Sequence, residues 1–309
     1  MPSESANTET PTVRLSRAEW TTRRAAHIAR VREWTSDRVT RASRGVKHPV
    51  YDFLFTYYSF RPSHLERWSP GADIILEDAS AAELDWPLDA TEVAGGYAIL
   101  SKDIPERRRD YLKWATHYLE RVNQRPATFN CYGLHEWAML YRSDAPRHTE
   151  VALRLSGAEI DQVVERSELR CTHFDAYRFF TPSATPLNRS VLNRELTTEF
   201  DQPGCIHVTM DLYKFAHKIA PWCPSEVIAD AFLLAASARE IDMRASPYDL
   251  GDYGLTPIKI ESPDGRAEYI LAQRELSERA APIRARLLEI YRALTLKGGS
   301  VMRGEAAGL

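Results

Sequence analysis

Helical periodicity, punctuated by proline and glycine, runs through nearly the whole sequence and limits what the chain can fold into. Ser262 and Pro263 read as the cap and first turn of a final helix reaching about Leu296. Its apolar residues Ile270, Leu276, Ile283, Leu287 and Tyr291 make it amphipathic. Gly204 and Pro221 bracket a helix over 204–221, and Pro224 opens an apolar one through Val227, Ile228, Phe232 and Leu234. Further helices are expected over 16–44, 103–123 and 130–142. Residues 69–102 carry Pro70, Gly71, Pro87, Gly95 and Gly96, and read as loops with a short strand or two. The expected fold class is therefore mainly α: a compact multi-helix globular domain over 14–297, with at most a few short strands. Residues 1–13, rich in Ser, Thr, Glu and Pro, are expected to form a disordered tail, and 298–309 a flexible one.

The chain has 309 residues, 44% apolar and 27% charged, enough to build a sizeable core. Its net charge of −3 argues against coating nucleic acid by charge alone. No apolar run has the length of a signal peptide or a membrane span, so a cytoplasmic location is expected. Cys131, Cys171, Cys205 and Cys223 include no CxxC pair and read as free thiols in a reducing compartment.

The basic charge is concentrated. Residues 14–47 hold ten Lys or Arg against Glu19, Glu33 and Asp37. Such a helix commonly packs its arginines on acids of its own protein. Its functional alternative is a phosphate-contacting surface, with Arg23, Arg24, Arg30, Arg38, Arg41 and Arg44 touching DNA.

The middle of the chain, from Tyr51 to Tyr253, mixes His, Asp, Arg and aromatic residues. In 48–68 seven of 21 positions are aromatic, and Phe53 and Tyr57 share a helical face. Core packing is the commoner use of such a stripe, but the hydroxyls of Tyr57 and Tyr58 need partners if buried. A flat ring needs aromatic faces and a few polar groups. Tyr57, Tyr58, Trp137, Phe174, Tyr177, Phe179, Tyr213 and Tyr248 supply faces, and Arg178 a charge. Asp175, Asp211, Asp242 and Asp249 are carboxylates that could orient water or stabilise developing positive charge. The structural alternative is a buried salt-bridge network. Imidazole and carboxylate also suit iron, manganese or zinc. The pairs are His117 with Glu120, His135 with Glu136, His173 with Asp175, and His207 with Asp211. The sequence has no G-x-S-x-G elbow, no P-loop and no G-x-G-x-x-G, which disfavours serine-hydrolase, nucleotide and dinucleotide chemistry.

Four segments, HPVYDFLFTYYSFRPSHLERWSPG, CTHFDAYRFFTP, GCIHVTMDLYKFAHK and DMRASPYDLGDYG, resemble a bacterial family labelled 3-methyladenine DNA glycosylase. The resemblance runs from about Trp20 to Leu288. It implies hydrolytic removal of an alkylated base from DNA without a cofactor. The L-x-G-[VI]-G hairpin of helix–hairpin–helix glycosylases does not occur, so no catalytic residue carries over by motif. Asp211, Asp249 and Asp175 are the catalytic carboxylates selected from the chain itself. The alternative is a non-haem iron or manganese oxygenase or hydrolase acting on a small molecule, with His173, Asp175, His207 and Asp211 as ligands. A third reading is ligand binding without catalysis.

Overall fold

The computed structural model describes residues 13–143 and 150–297. Helix α1 (Arg17–Ser43) starts at a capping box in which the Ser16 side chain accepts from the Glu19 backbone N–H. It buries Trp20, His27, Val31 and Thr35, a stripe on one face. Two short helices follow, α2 (Phe53–Thr56) and α3 (Pro62–Glu66). Pro62 occupies the first turn of α3, where its missing N–H costs nothing.

The polar stretch 69–102 is more ordered than expected. Strands β1 (Val13–Leu15), β2 (Ile74–Glu77), β3 (Ala90–Val93) and β4 (Gly96–Ile99) form one sheet in the order β1-β2-β4-β3. β1 runs parallel to β2, and the other pairings are antiparallel. Gly96 is required there, because a Cβ would lie 1.9 Å from the Leu76 carbonyl oxygen. Val13, assigned to the tail from sequence, belongs to the edge strand. Residues 1–12 and the tail expected from 298 lie outside the described residues.

Helix α4 (Arg109–Gln124) follows a single 3₁₀ turn, and α5 (Leu134–Ala138), α6 (Gly157–Glu165), α7 (Phe174–Tyr177) and α8 (Thr197–Phe200) are short. The centre is α9 (Ile206–Lys218) against α10 (Ser225–Arg244), with α11 (Pro263–Lys297) and α4 packed around them. α9 is buried on nearly every side. α10 answers it with Ala229, Ala231, Ala235, Ala236 and Ala238, all buried, and such small residues let helices approach closely. The fold is mainly α, as expected. Among the described residues no helix is long and apolar enough to cross a membrane.

The arginines of α1 face acids of the same chain. Arg23 pairs with Glu226 at 2.9 Å, Arg24 with Asp85 at 2.5 Å and Arg30 with Asp230 at 2.7 Å. Arg38 and Arg41 share Asp52, at 3.6 and 2.7 Å. Arg44 is exposed and makes no ion pair among the described residues. The basic helix is thus largely neutralised from within.

Candidate functional site

Three elements bring polar side chains together beneath the surface. α5 contributes His135 and Glu136, the first turn of α9 contributes His207, and the end of α10 contributes Arg239 and Asp242. One donor atom each from His135, His207 and Asp242 lie within 4.8 Å of one another.

Local sequence explains how each is placed. α5 begins after Gly133, whose φ of 67° is left-handed. A Cβ there would also press on Ala245 at 3.2 Å and Tyr269 at 3.3 Å. Trp137 donates through Nε1 to the Ala245 carbonyl at 2.9 Å, tying α5 to the end of α10. The loop before α9 is held by Gln202, whose Oε1 accepts from Thr128 and Gly204 N–H groups at 2.9 and 2.7 Å. From α11, Gln273 donates to the Gly204 carbonyl at 2.6 Å and Ser277 to the Pro203 carbonyl at 2.9 Å.

His135 Nε2 and Asp242 Oδ1 are 2.8 Å apart, an ion pair when the imidazole is protonated, and neither atom has a further hydrogen-bond partner among the described residues. Asp242 Oδ2 accepts from Arg239 Nη1 at 2.7 Å, and the same Nη1 donates to Glu136 Oε1 at 3.0 Å. Arg239 Nε and Nη2 and Glu136 Oε2 have no hydrogen-bond partner among the described residues. Arg239 is 2% exposed and lies 4.1 Å over the Phe53 ring. A buried group so short of partners is costly unless something else satisfies it.

Protonation follows from position. Burial, with His135 and His173 beside it, pushes His207 well below the usual imidazole range, so it is neutral. At His135 burial acts downward, but Asp242 outweighs it and the net shift is upward. At Asp242 burial acts upward, and His135 and Arg239 overcome it to hold the carboxylate ionised. Glu136 and Asp242 thus face Arg239 and a His135 whose hold on a proton Asp242 strengthens, while His207 is neutral.

His207 also lies parallel to His173, with centroids 5.2 Å apart and planes at 3°, and edge-on to His135 at 4.4 Å. His173 turns Nδ1 to Asp201 at 3.1 Å, and Asp201 accepts from Tyr118 OH at 2.7 Å. One helical turn beyond His207, Asp211 accepts from Tyr58 OH at 2.9 Å and from Lys214.

The residues selected from sequence are distributed as follows. Of the expected ligands His173, Asp175, His207 and Asp211, only His207 belongs to the three-donor cluster. Asp175 pairs with Arg178 at 3.0 Å, and His173 and Asp211 have the partners given above. Tyr57 stacks on Phe53 at 4.7 Å and meets Tyr58 at 5.0 Å. Trp137, Tyr177, Tyr213 and Tyr248 are buried in the apolar cores, and Phe174 lies beneath Arg194. Asp249 is exposed and accepts from Gly251 N–H in a turn. His117 is exposed, and Glu120 pairs with Arg292 at 2.7 Å. Arg239, which sequence reasoning passed over, is spaced i,i+3 from Asp242, and that spacing was its one signal.

A small pocket, with a cavity volume of about 20 Å³, opens onto His135 and His207. Cys131, Cys171 and Cys205 line it, so three of the four thiols gather at one place. Burial raises all three, Cys171 to about 12, and keeps them protonated. No family model, curated protein or solved structure matches this chain.

Proposed function

We propose that this protein is a metal-dependent enzyme acting on a small molecule, with a divalent iron or manganese ion held by His135, His207 and Asp242. The observation that carries the reading is the convergence of one donor atom each from His135, His207 and Asp242 to within 4.8 Å of one another. Within it His135 Nε2 and Asp242 Oδ1 stand 2.8 Å apart. Donors on neighbouring corners of an octahedron with bonds of about 2.1 Å are about 3.0 Å apart. Two imidazoles and one carboxylate form the facial set of non-haem iron enzymes, which leaves coordination positions open. A cation there would take the place of the proton that Asp242 favours on His135. Such an ion supplies Lewis-acid or redox chemistry. The protein's own part is positional: Arg239 holds Asp242 Oδ2 and leaves Oδ1 free, Trp137 anchors the helix bearing His135, and His173 braces the face of His207.

Metal analysis of protein purified anaerobically with Fe(II) or Mn(II) tests this. About one ion per chain is expected, and His135→Ala, His207→Ala and Asp242→Ala should each lose it. Wild-type protein that retains no more metal than these variants would overturn the proposal.

A second reading, excision of an alkylated base from DNA, draws on the glycosylase resemblance and on Tyr58 bonded to Asp211 beside the stacked Phe53 and Tyr57. Asp211 would assist C–N cleavage and the tyrosines would face the base. Release of free 3-methyladenine from methylated duplex DNA, abolished in Asp211→Asn, is its test. The internal pairing of Arg23, Arg24, Arg30, Arg38 and Arg41 weighs against it.

A further inference from the structure

We infer that the surface where the last turn of α9 meets α3 and the start of α4 binds single-stranded nucleic acid. This goes beyond the metal-enzyme reading and rests on neither reading given above. Contacts join the three elements into one surface. His64 of α3 and His217 of α9 have ring centroids 6.2 Å apart. Arg108, just ahead of α4, donates to the Lys218 carbonyl at 3.0 Å and lies 5.2 Å over Trp222. Lys218 Nζ stands 5.0 Å over the Tyr111 ring. Burial, and then Arg67 and Arg61 at the two ends of α3, lower His64, so both guanidinium groups border the same surface.

Arg61, Arg67, Arg107 and Lys218 are exposed, and neither they nor Arg108 make an ion pair among the described residues. The acids around them are taken by other cations. Asp175 pairs with Arg178 at 3.0 Å, Asp211 with Lys214, Glu106 with Arg109 at 2.5 Å and Asp110 with Lys113 at 3.7 Å. Glu66 turns away to Thr35 and Arg32 of α1. Asp89 acts on Arg108. The surface therefore keeps an excess of positive charge, unlike α1. An aromatic platform adjoins it. Trp114, one turn along α4 from Tyr111, rests on Tyr118 at 5.4 Å and 20°, and is 43% exposed. An open indole beside unpaired guanidinium groups suits a base next to its phosphates, since every base has a π-face. An acidic peptide matches the charge but gives Trp114 nothing to stack on. In a duplex the base faces are closed by stacking on one another.

Fluorescence anisotropy of labelled oligothymidylate with the full chain, across a salt titration, tests this. The log–log salt slope should be about −2 to −3, as for three or four phosphate contacts on a single strand. Trp114→Ala should weaken binding by ~10-fold, and Trp114→Phe should restore most of it. Arg61→Gln and Arg107→Gln should each weaken binding and make the slope shallower by about 0.7. Arg44→Gln removes an unpaired arginine of α1 and should change nothing; a loss equal to that of Arg107→Gln overturns the assignment to this surface. Absence of binding at low salt, no effect of Trp114→Ala, or competition by polyglutamate as effective as by unlabelled oligothymidylate also overturns the inference. Tighter binding of a duplex of the same length moves the surface to double-stranded DNA and overturns the single strand. Binding should be the same in protein that takes up no metal, so failure of the metal reading leaves this result standing.

Discussion

Trp137 and Ala245 are joined by a buried hydrogen bond of 2.9 Å that links the helix carrying His135 to the last turn of the helix carrying Asp242. Trp137→Phe keeps most of the packing but strands the Ala245 carbonyl. A loss of about 1–3 kcal/mol is expected in urea unfolding. The two ligands should also lose register, so metal affinity should drop by about 10–100-fold, as for other groups that orient ligands. Unchanged metal affinity in a folded Trp137→Phe protein would show that the bond does not position His135.

Asp242 and Arg239 distinguish a ligand from a structural ion pair. Asp242→Ala leaves the Arg239 guanidinium with Glu136 alone, and stability should fall by about 3–5 kcal/mol. Asp242→Asn preserves volume and one acceptor, so its loss should be smaller, yet metal content should fall as far as in Asp242→Ala. Retention of metal by Asp242→Asn would remove Asp242 from the ligand set.

Gly204 is fixed by space rather than by a left-handed backbone. A Cβ would stand 2.5 Å from the Thr128 carbonyl oxygen and 3.0 Å from Gln202 Oε1. Gly204→Ala should therefore cost about 1–3 kcal/mol by overpacking and displace the turn that delivers His207. A melting temperature equal to wild type would contradict the tight approach of these two segments.

His217 stacks on Phe60 at 3.7 Å, and burial, reinforced by His64, lowers it from 6.5 to about 4. The folded state therefore binds this proton less readily than the unfolded one. The group's contribution is complete above about pH 6.5, is lost as pH falls towards 4, and changes no further below that. The loss is on the order of 2–3 kcal/mol. His217→Phe keeps the stack and carries no proton. Its stability relative to wild type should rise between pH 7.5 and pH 4.5 in urea melts. A difference that stays flat with pH would mean His217 is solvated.

The helices were legible because their signals are local. Gly204 before α9, Pro224 before α10 and Pro263 at the start of α11 announced their termini within a few residues. The sheet was harder to read, since β1 is three residues long and pairs with β2 some sixty positions away. The site was harder still. His135, His207 and Asp242 lie on three helices with no spacing rule between them, and their meeting depends on tertiary ties such as Trp137 to Ala245. Local pairing misled here: His207 and Asp211 share a helix face, but Tyr58 and Lys214 claim Asp211. The pocket expected of Trp137, Tyr213 and Tyr248 fails for a similar reason, because volume and a reachable acceptor draw large aromatics into the core. The arginines of α1 followed the more ordinary reading and found acids within the chain.

The side chains of Gln273 and Ser277 fasten the turn ahead of His207, and both belong to α11. In order of synthesis that helix follows every element of the cluster. A nascent chain that has already made His135, His207 and Asp242 still lacks the clasp that sets the second histidine. Completion of the pocket is thereby coupled to the arrival of the final helix, and a chain halted before residue 263 would carry all three donors without the means to aim them.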